Sequence, residues 1–113
     1  MARTLLRFML VRAGFDVLEA ESGRDALEKV QAYRPDLIVL DVMMPGMDGF
    51  TVCERVRHEP ETASLPIIML SAKADVDSVK RGLEVGADLY LAKPISHEEL
   101  TRHVFDVLVI SKA

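Results

Sequence analysis

The chain has 113 residues, half of them hydrophobic, with 18 acidic and 14 basic side chains and a formal net charge of −4. Such a length makes one domain, and it buries roughly two thirds of its unfolded surface, enough for a core without disulfide staples. The acidic balance argues against a general nucleic-acid or membrane-surface binder. The single cysteine, Cys53, excludes an internal disulfide framework, and no apolar run approaches the ~20 residues that span a bilayer.

At the N-terminus Leu5, Leu6, Met9, Leu10 and Ala13 recur at helical spacing, and Gly14 is placed to end that helix. Arg7 and Arg12 interrupt this stretch and no signal-peptide pattern is present, so a cytoplasmic location is expected. Residues 15–20, with Phe15, Val17 and Leu18 set between acids, are expected to form a short strand. Ser22 caps a helix carrying Ala26, Leu27 and Val30, which Pro35 stops. Leu37, Ile38, Val39 and Leu40 form a near-continuous apolar run, as in a strand buried on both faces of a parallel sheet.

A loop containing Pro45, Gly46 and Gly49 leads to a helix marked by Phe50, Cys53 and Val56 and ending near His58. Pro66 introduces a strand at residues 67–70. Asp75 or Asp77 caps a helix holding Val79, Leu83 and Val85, which Gly86 closes. Leu89, Tyr90 and Leu91 make a further short strand, followed by Pro94. Ser96 with Glu99 three residues on forms a capping box for a last helix using Leu100, Val104, Val107 and Leu108. Residues 107–110 are β-branched and also fit a buried strand; the capping box and the spacing favour helix. Strands alternating with helices imply βαβ units and one three-layer α/β domain over residues 1–113.

In an open parallel sheet, functional groups collect beyond the carboxyl ends of the strands. That rule selects Asp41, Ser71 with Ala72, and Lys93, each directly after an apolar strand. The chemistry these types share is phosphoryl handling. A carboxylate can carry a phosphoryl group as a mixed anhydride, a lysine ammonium pairs with its oxygens, and a hydroxyl adds a hydrogen bond. Taken singly, Asp41 reads as a cap, Ser71 as a turn hydroxyl and Lys93 as a solvated lysine. Their placement at successive strand ends is what makes a constellation.

At these residues the sequence resembles a known family. The stretch Asp36-Leu37-Ile38-Val39-Leu40-Asp41-Val42-Met43-Met44-Pro45-Gly46-Met47-Asp48-Gly49 resembles the phosphoacceptor segment of bacterial response-regulator receiver domains. Pro66-Ile67-Ile68-Met69-Leu70-Ser71-Ala72 and Gly86-Ala87-Asp88-Leu89-Tyr90-Leu91-Ala92-Lys93-Pro94 resemble the family's next two signatures, in order and spacing. The resemblance implies a flavodoxin-like sheet of order 2-1-3-4-5. It also implies Asp41 phosphorylated by a histidine kinase or phosphotransfer protein, and Ser71 and Tyr90 as the switch pair. Lys93 is implied as the phosphate-pairing lysine, its bond to Pro94 cis, and Mg²⁺ as held by Asp41 and the Met43 carbonyl. Output is expected through a downstream effector protein or domain, without direct contact to nucleic acid or membrane.

Receiver domains open with an apolar strand ending in a pair of acids that hold Mg²⁺, and no such strand precedes Met1. The chain therefore reads as N-terminally truncated, with four strands and five helices, the first strand absent. Weak magnesium binding is then expected, and so is a homodimer through the exposed edge at residues 37–40. A phosphorylation-incompetent receiver-like interaction or dimerisation module is the alternative to the phosphoacceptor. A phosphatase using an aspartate nucleophile is disfavoured because Met43 stands where its second Asp would be, and the protein is not expected to be an enzyme. Cys53 reads as a core thiol, and His58, His97 and His103 as surface residues without a metal pattern.

Overall fold

The computed structural model describes residues 10–44 and 46–112. Its sheet consists of three parallel strands, β1 (Ile38–Leu40), β2 (Ile67–Ser71) and β3 (Leu89–Ala92), in the spatial order β1-β2-β3. Around it lie α1 (Gly23–Tyr33), α2 (Gly49–His58), α3 (Val76–Glu84) and α4 (His97–Lys112). Residues 10–12 are helical too, the end of the first expected helix, whose remainder lies outside the described residues. The expectations about an absent first strand and about Pro45 also fall outside them.

Local chemistry accounts for most element ends. The Ser22 Oγ accepts from the Asp25 N–H at the start of α1. Asp48 and Asp75 do the same for Thr51 and Ser78 at the starts of α2 and α3, so Asp75 rather than Asp77 is the cap. At the end of α3, Gly86 adopts φ 116°. Its N–H donates to Leu83 O at 3.1 Å and that of Ala87 to Gly82 O at 3.0 Å, a left-handed closure that favours glycine. Ser96 Oγ accepts from the Glu99 N–H at 3.2 Å and starts α4, which runs unbroken through residues 107–110 and settles them as helix.

The strand alternation sorts side chains onto two faces. Ile38, Leu40, Ile67, Met69 and Tyr90 meet α2 residues Phe50, Val52, Cys53 and Val56, together with Leu27 of α1. Val39, Ile68, Leu89 and Leu91 meet Leu100, Val104, Val107 and Leu108 of α4, together with Leu10 and Phe15. In β2, Ile67, Ile68, Met69 and Leu70 are all at most 1% exposed, as the continuous apolar run requires. Cys53 is fully buried, and burial pushes its thiol up to about 11, so it is neutral and unreactive near neutrality.

Three expectations need correction. Residues 15–20 form no strand, leaving three strands rather than four among the described residues. A strand acquires its free energy from a ladder, and within the described residues none runs beside this segment. Ser71 is the last residue of β2 rather than the first beyond it, pairing with Ala92 of β3. The apolar face assigned to the third complete helix is also shifted. Leu83 is 48% exposed, Val85 is the C-cap, and the buried positions of α3 are Ser78 and Gly82.

The edge of the sheet remote from the strand C-termini is fastened by Arg57. Its Nε donates to Gly86 O at 2.9 Å, Nη1 to Leu65 O at 2.5 Å and Nη2 to Asp88 Oδ2 at 3.0 Å. The same Asp88 oxygen accepts from the Ile67 N–H at 2.8 Å. One planar guanidinium thus joins α2, the entry to β2 and the turn before β3, a fork that a lysine cannot reproduce. Arg57→Ala leaves two carbonyls short of a donor and should lower stability by about 2–4 kcal/mol, with Arg57→Lys recovering less than half. Urea unfolding of the three proteins checks this.

Candidate functional site

Asp41 follows β1, Ser71 ends β2 and Lys93 follows β3, so the parallel ladder delivers all three to one edge of the sheet. Asp41 and Lys93 meet directly, with Lys93 Nζ donating to Asp41 Oδ2 at 2.7 Å. The other carboxylate oxygen, Oδ1, accepts from the Met43 N–H at 2.9 Å, which fixes the plane of the carboxylate. The side chains are 35% and 23% exposed, so the pair lies in reach of water and of a small anionic reactant. As a half-exposed ion pair it adds little to stability; its significance is positional.

Ser71 is fully buried and is joined to Lys93 through the backbone, since its carbonyl accepts from the Lys93 N–H at 3.0 Å. Its hydroxyl is turned to the loop after β2, where Oγ accepts from the Lys73 N–H at 3.1 Å. Tyr90 lies opposite Met69 in the ladder and its hydroxyl donates to the carbonyl of the same Lys73. Both main-chain groups of Lys73 are thus held by the two residues expected to switch. Burial holds the Tyr90 phenol above its ordinary value. The nearby Ser71 hydroxyl opposes that shift, and the carboxylates of Asp75 and Asp41 add to it. The Lys93–Pro94 peptide bond is cis.

The acceptor loop is seated by close backbone approach. Gly49 N–H donates to Val42 O at 2.9 Å, and a Cβ added to Gly49 would lie 2.5 Å from Asp41 O. At the start of α1 a Cβ on Gly23 would lie 2.9 Å from Met47 Cβ and O. Met43 is 65% exposed beside the acceptor. Gly49 reads only as a loop residue in the sequence, and Lys73 and Gly82 carry no signal there. Lys73 acts through its main chain, which no side-chain pattern reveals. Gly82 lies inside a helical pattern, where a glycine costs helix stability unless packing requires it.

The family that the sequence resembles generally binds Mg²⁺. Magnesium requires near-octahedral oxygen coordination. Within the described residues no group of three or more His, Cys, Asp or Glu side chains is placed to hold a metal. Asp41 and the expected Met43 carbonyl do not by themselves form such a cage. His58 and His97 are exposed and His103 half-buried. No helix of the described residues is long and apolar enough to cross a membrane.

A family model for the response regulator receiver domain matches residues 1–105. The transcriptional regulatory protein AfsQ1 of Streptomyces coelicolor is 49% identical over 106 residues, 94% of this chain and 46% of that protein. The alkaline phosphatase synthesis transcriptional regulatory protein PhoP of Bacillus subtilis is 45% identical over 105 residues, 93% of this chain and 43% of that protein. The chain spans less than half the length of these relatives. Among solved structures, Vibrio cholerae chemotaxis protein CheY4 matches with a TM-score of 0.88 at 36% identity, covering 94% of this chain and 88% of that one. The signal receiver domain of a signal transduction histidine kinase from Syntrophus aciditrophicus matches with a TM-score of 0.86 at 35% identity, covering 94% and 80%.

Proposed function

The chain belongs to the response regulator receiver domain family, and from that membership we propose that it accepts a phosphoryl group on Asp41 and relays the event through Ser71 and Tyr90. The observation that carries the reading is the contact of Lys93 Nζ with Asp41 Oδ2, a fixed positive charge beside a water-accessible carboxylate at the C-terminal edge of the sheet. A carboxylate oxygen forms the bond to phosphorus while the P–N bond of a phosphohistidine, or the P–O bond of an acyl phosphate, breaks. The leaving group departs with the electron pair. Transfer of this kind depends on positioning and electrostatic stabilisation. Lys93 is positioned to pair with the phosphoryl oxygens, and the Met43 N–H keeps the attacking group in plane.

A phosphoryl group on Asp41 adds charge and strong acceptors within the reach of neighbouring donors. The Ser71 hydroxyl is the donor expected to respond. When it turns to a phosphoryl oxygen, the Lys73 N–H loses its acceptor, and the Tyr90 ring, whose hydroxyl donates to the Lys73 carbonyl, is held inward with it. The donor is a histidine kinase or phosphotransfer protein, and the output is a changed partner surface on an effector protein or domain. The protein is thus a phosphoacceptor in signalling rather than a turning-over catalyst.

Incubation with acetyl phosphate in magnesium buffer, followed by intact-mass analysis, tests the reading. One added phosphoryl group that hydroxylamine removes is expected, because a mixed anhydride is cleaved by that nucleophile. An unmodified mass favours instead the receiver-shaped module that binds partners without phosphorylation.

A further inference from the structure

Among the described residues, sulfur is unevenly placed with respect to water. Cys53 and Met69 are fully buried, and burial keeps the Cys53 thiol neutral and unreactive near neutrality. Met44 and Met47 are half-buried and pack against the core cluster that holds Leu40, Val42, Phe50 and Val52. Of the described methionines Met43 alone is exposed, at 65%. It belongs to neither apolar cluster, so core packing gives no reason for a large apolar side chain at this place.

Met43 is also tied directly to the acceptor. Its N–H donates to Asp41 Oδ1 at 2.9 Å, so the thioether is carried by the residue that sets the plane of the carboxylate. The other carboxylate oxygen, Oδ2, accepts from Lys93 Nζ at 2.7 Å. A thioether is apolar and polarisable, only a weak acceptor, and makes little demand on that ion pair. Oxidation to the sulfoxide makes the same flexible side chain polar. An acceptor oxygen carried beside Asp41 competes with phosphoryl oxygens for the donors at this edge and opposes an incoming anion.

We propose that Met43 is an oxidation site: hydrogen peroxide converts its thioether to the sulfoxide, which disturbs the Asp41–Lys93 pair and lowers the capacity of Asp41 to accept a phosphoryl group. The sulfur lone pair attacks one peroxide oxygen, and the O–O bond breaks as the S–O bond forms. A proton shift releases the other oxygen as water. Sulfur loses two electrons and the peroxide gains them, so no further co-reactant is needed. The consequence for labelling rests on the reading of Asp41 as the acceptor, whereas the order in which the sulfurs oxidise and the response of the ion pair do not.

The test treats the folded chain with limiting hydrogen peroxide and locates the added oxygen by peptide mass mapping. Met43 should be oxidised ahead of Met44, Met47 and Met69, with Cys53 unmodified. The Asp41 and Lys93 amide resonances should then move with no phosphodonor present. The initial rate of labelling by acetyl phosphate should fall severalfold. It should return when both stereospecific methionine sulfoxide reductases are added with dithiothreitol. Met43→Leu, compared only with itself before and after peroxide, should keep its rate. Oxidation of Met44 or Met47 ahead of Met43 overturns the proposal. So do unmoved Asp41 and Lys93 resonances or an unchanged labelling rate in the Met43 sulfoxide, and so does an equal loss of rate in Met43→Leu. If the untreated chain takes no label, the phosphoacceptor reading fails by itself, and the mapping and the two resonances still decide whether peroxide acts through Met43 on the ion pair.

Discussion

Asp41→Asn should reduce labelling by acetyl phosphate to background while leaving the fold intact. An amide lacks the nucleophilic carboxylate oxygen that forms the mixed anhydride, and the other two members of the constellation, Ser71 and Lys93, are not placed to replace it. The substitution is nearly isosteric. The Asn oxygen can still accept from the Met43 N–H, as Asp41 Oδ1 does at 2.9 Å. What disappears is the pair with Lys93, half-exposed and worth about 1 kcal/mol or less. Loss of labelling with a thermal midpoint changed by only a few degrees is therefore expected, measured by intact mass and circular dichroism on the same samples. Labelling that survives Asp41→Asn would move the acceptor elsewhere.

Gly49→Ala should slow labelling more than any other substitution that leaves every reacting atom in place. Its added Cβ would lie 2.5 Å from Asp41 O, 2.8 Å from Val42 Cα and 3.0 Å from Asp41 C, all backbone atoms that no rotamer change can relieve. The 41–48 loop must move away from the start of α2, stretching the Gly49–Val42 hydrogen bond. Overpacking of this kind costs about 1–3 kcal/mol. The displacement falls on the acceptor itself, and a misplacement of about 1 Å can cost about 100-fold in a positioned reaction. Denaturant unfolding and the initial labelling rate should thus both fall. Gly46 serves as the control, because a Cβ there meets nothing within 4 Å. Its substitution, strained only through its φ of 76°, should spare the labelling rate far more than Gly49→Ala does.

The parts of the fold that were legible in the sequence are those written in local terms. The apolar run of β2, the Ser22 cap and the Gly86 closure each follow from neighbouring residues alone, and each stands as read. The parts that were not legible depend on partners distant in sequence. Residues 15–20 have strand composition, but pairing decides whether a strand forms, and the described sheet begins at β1. On α3 the hydrophobic spacing pointed to Leu83. The helix instead turns Ser78 and Gly82 inward, because the Tyr90 ring and Met69 take up the space a larger side chain would need.

The site divides along the same line. Asp41 and Lys93 were readable from their position after apolar strands, and the structure brings them to 2.7 Å. Tyr90 came only from the family resemblance, since a half-buried strand aromatic has no signature of its own. Its tie to Lys73 depends on main-chain groups, which sequence patterns do not describe.

Coupling of Asp41 to the loop after β2 can be read in a beryllofluoride titration of isotopically labelled protein, followed by NMR, with Asp41→Asn alongside. Beryllofluoride on a carboxylate stands in for the phosphoryl group. The Met43, Ser71, Lys73 and Lys93 amides and the Tyr90 ring should shift together in the unsubstituted protein and stay unmoved in Asp41→Asn. Shifts confined to Asp41 and Met43, or none at all, would contradict that coupling, because the acceptor would then be independent of the residues that hold the loop after β2.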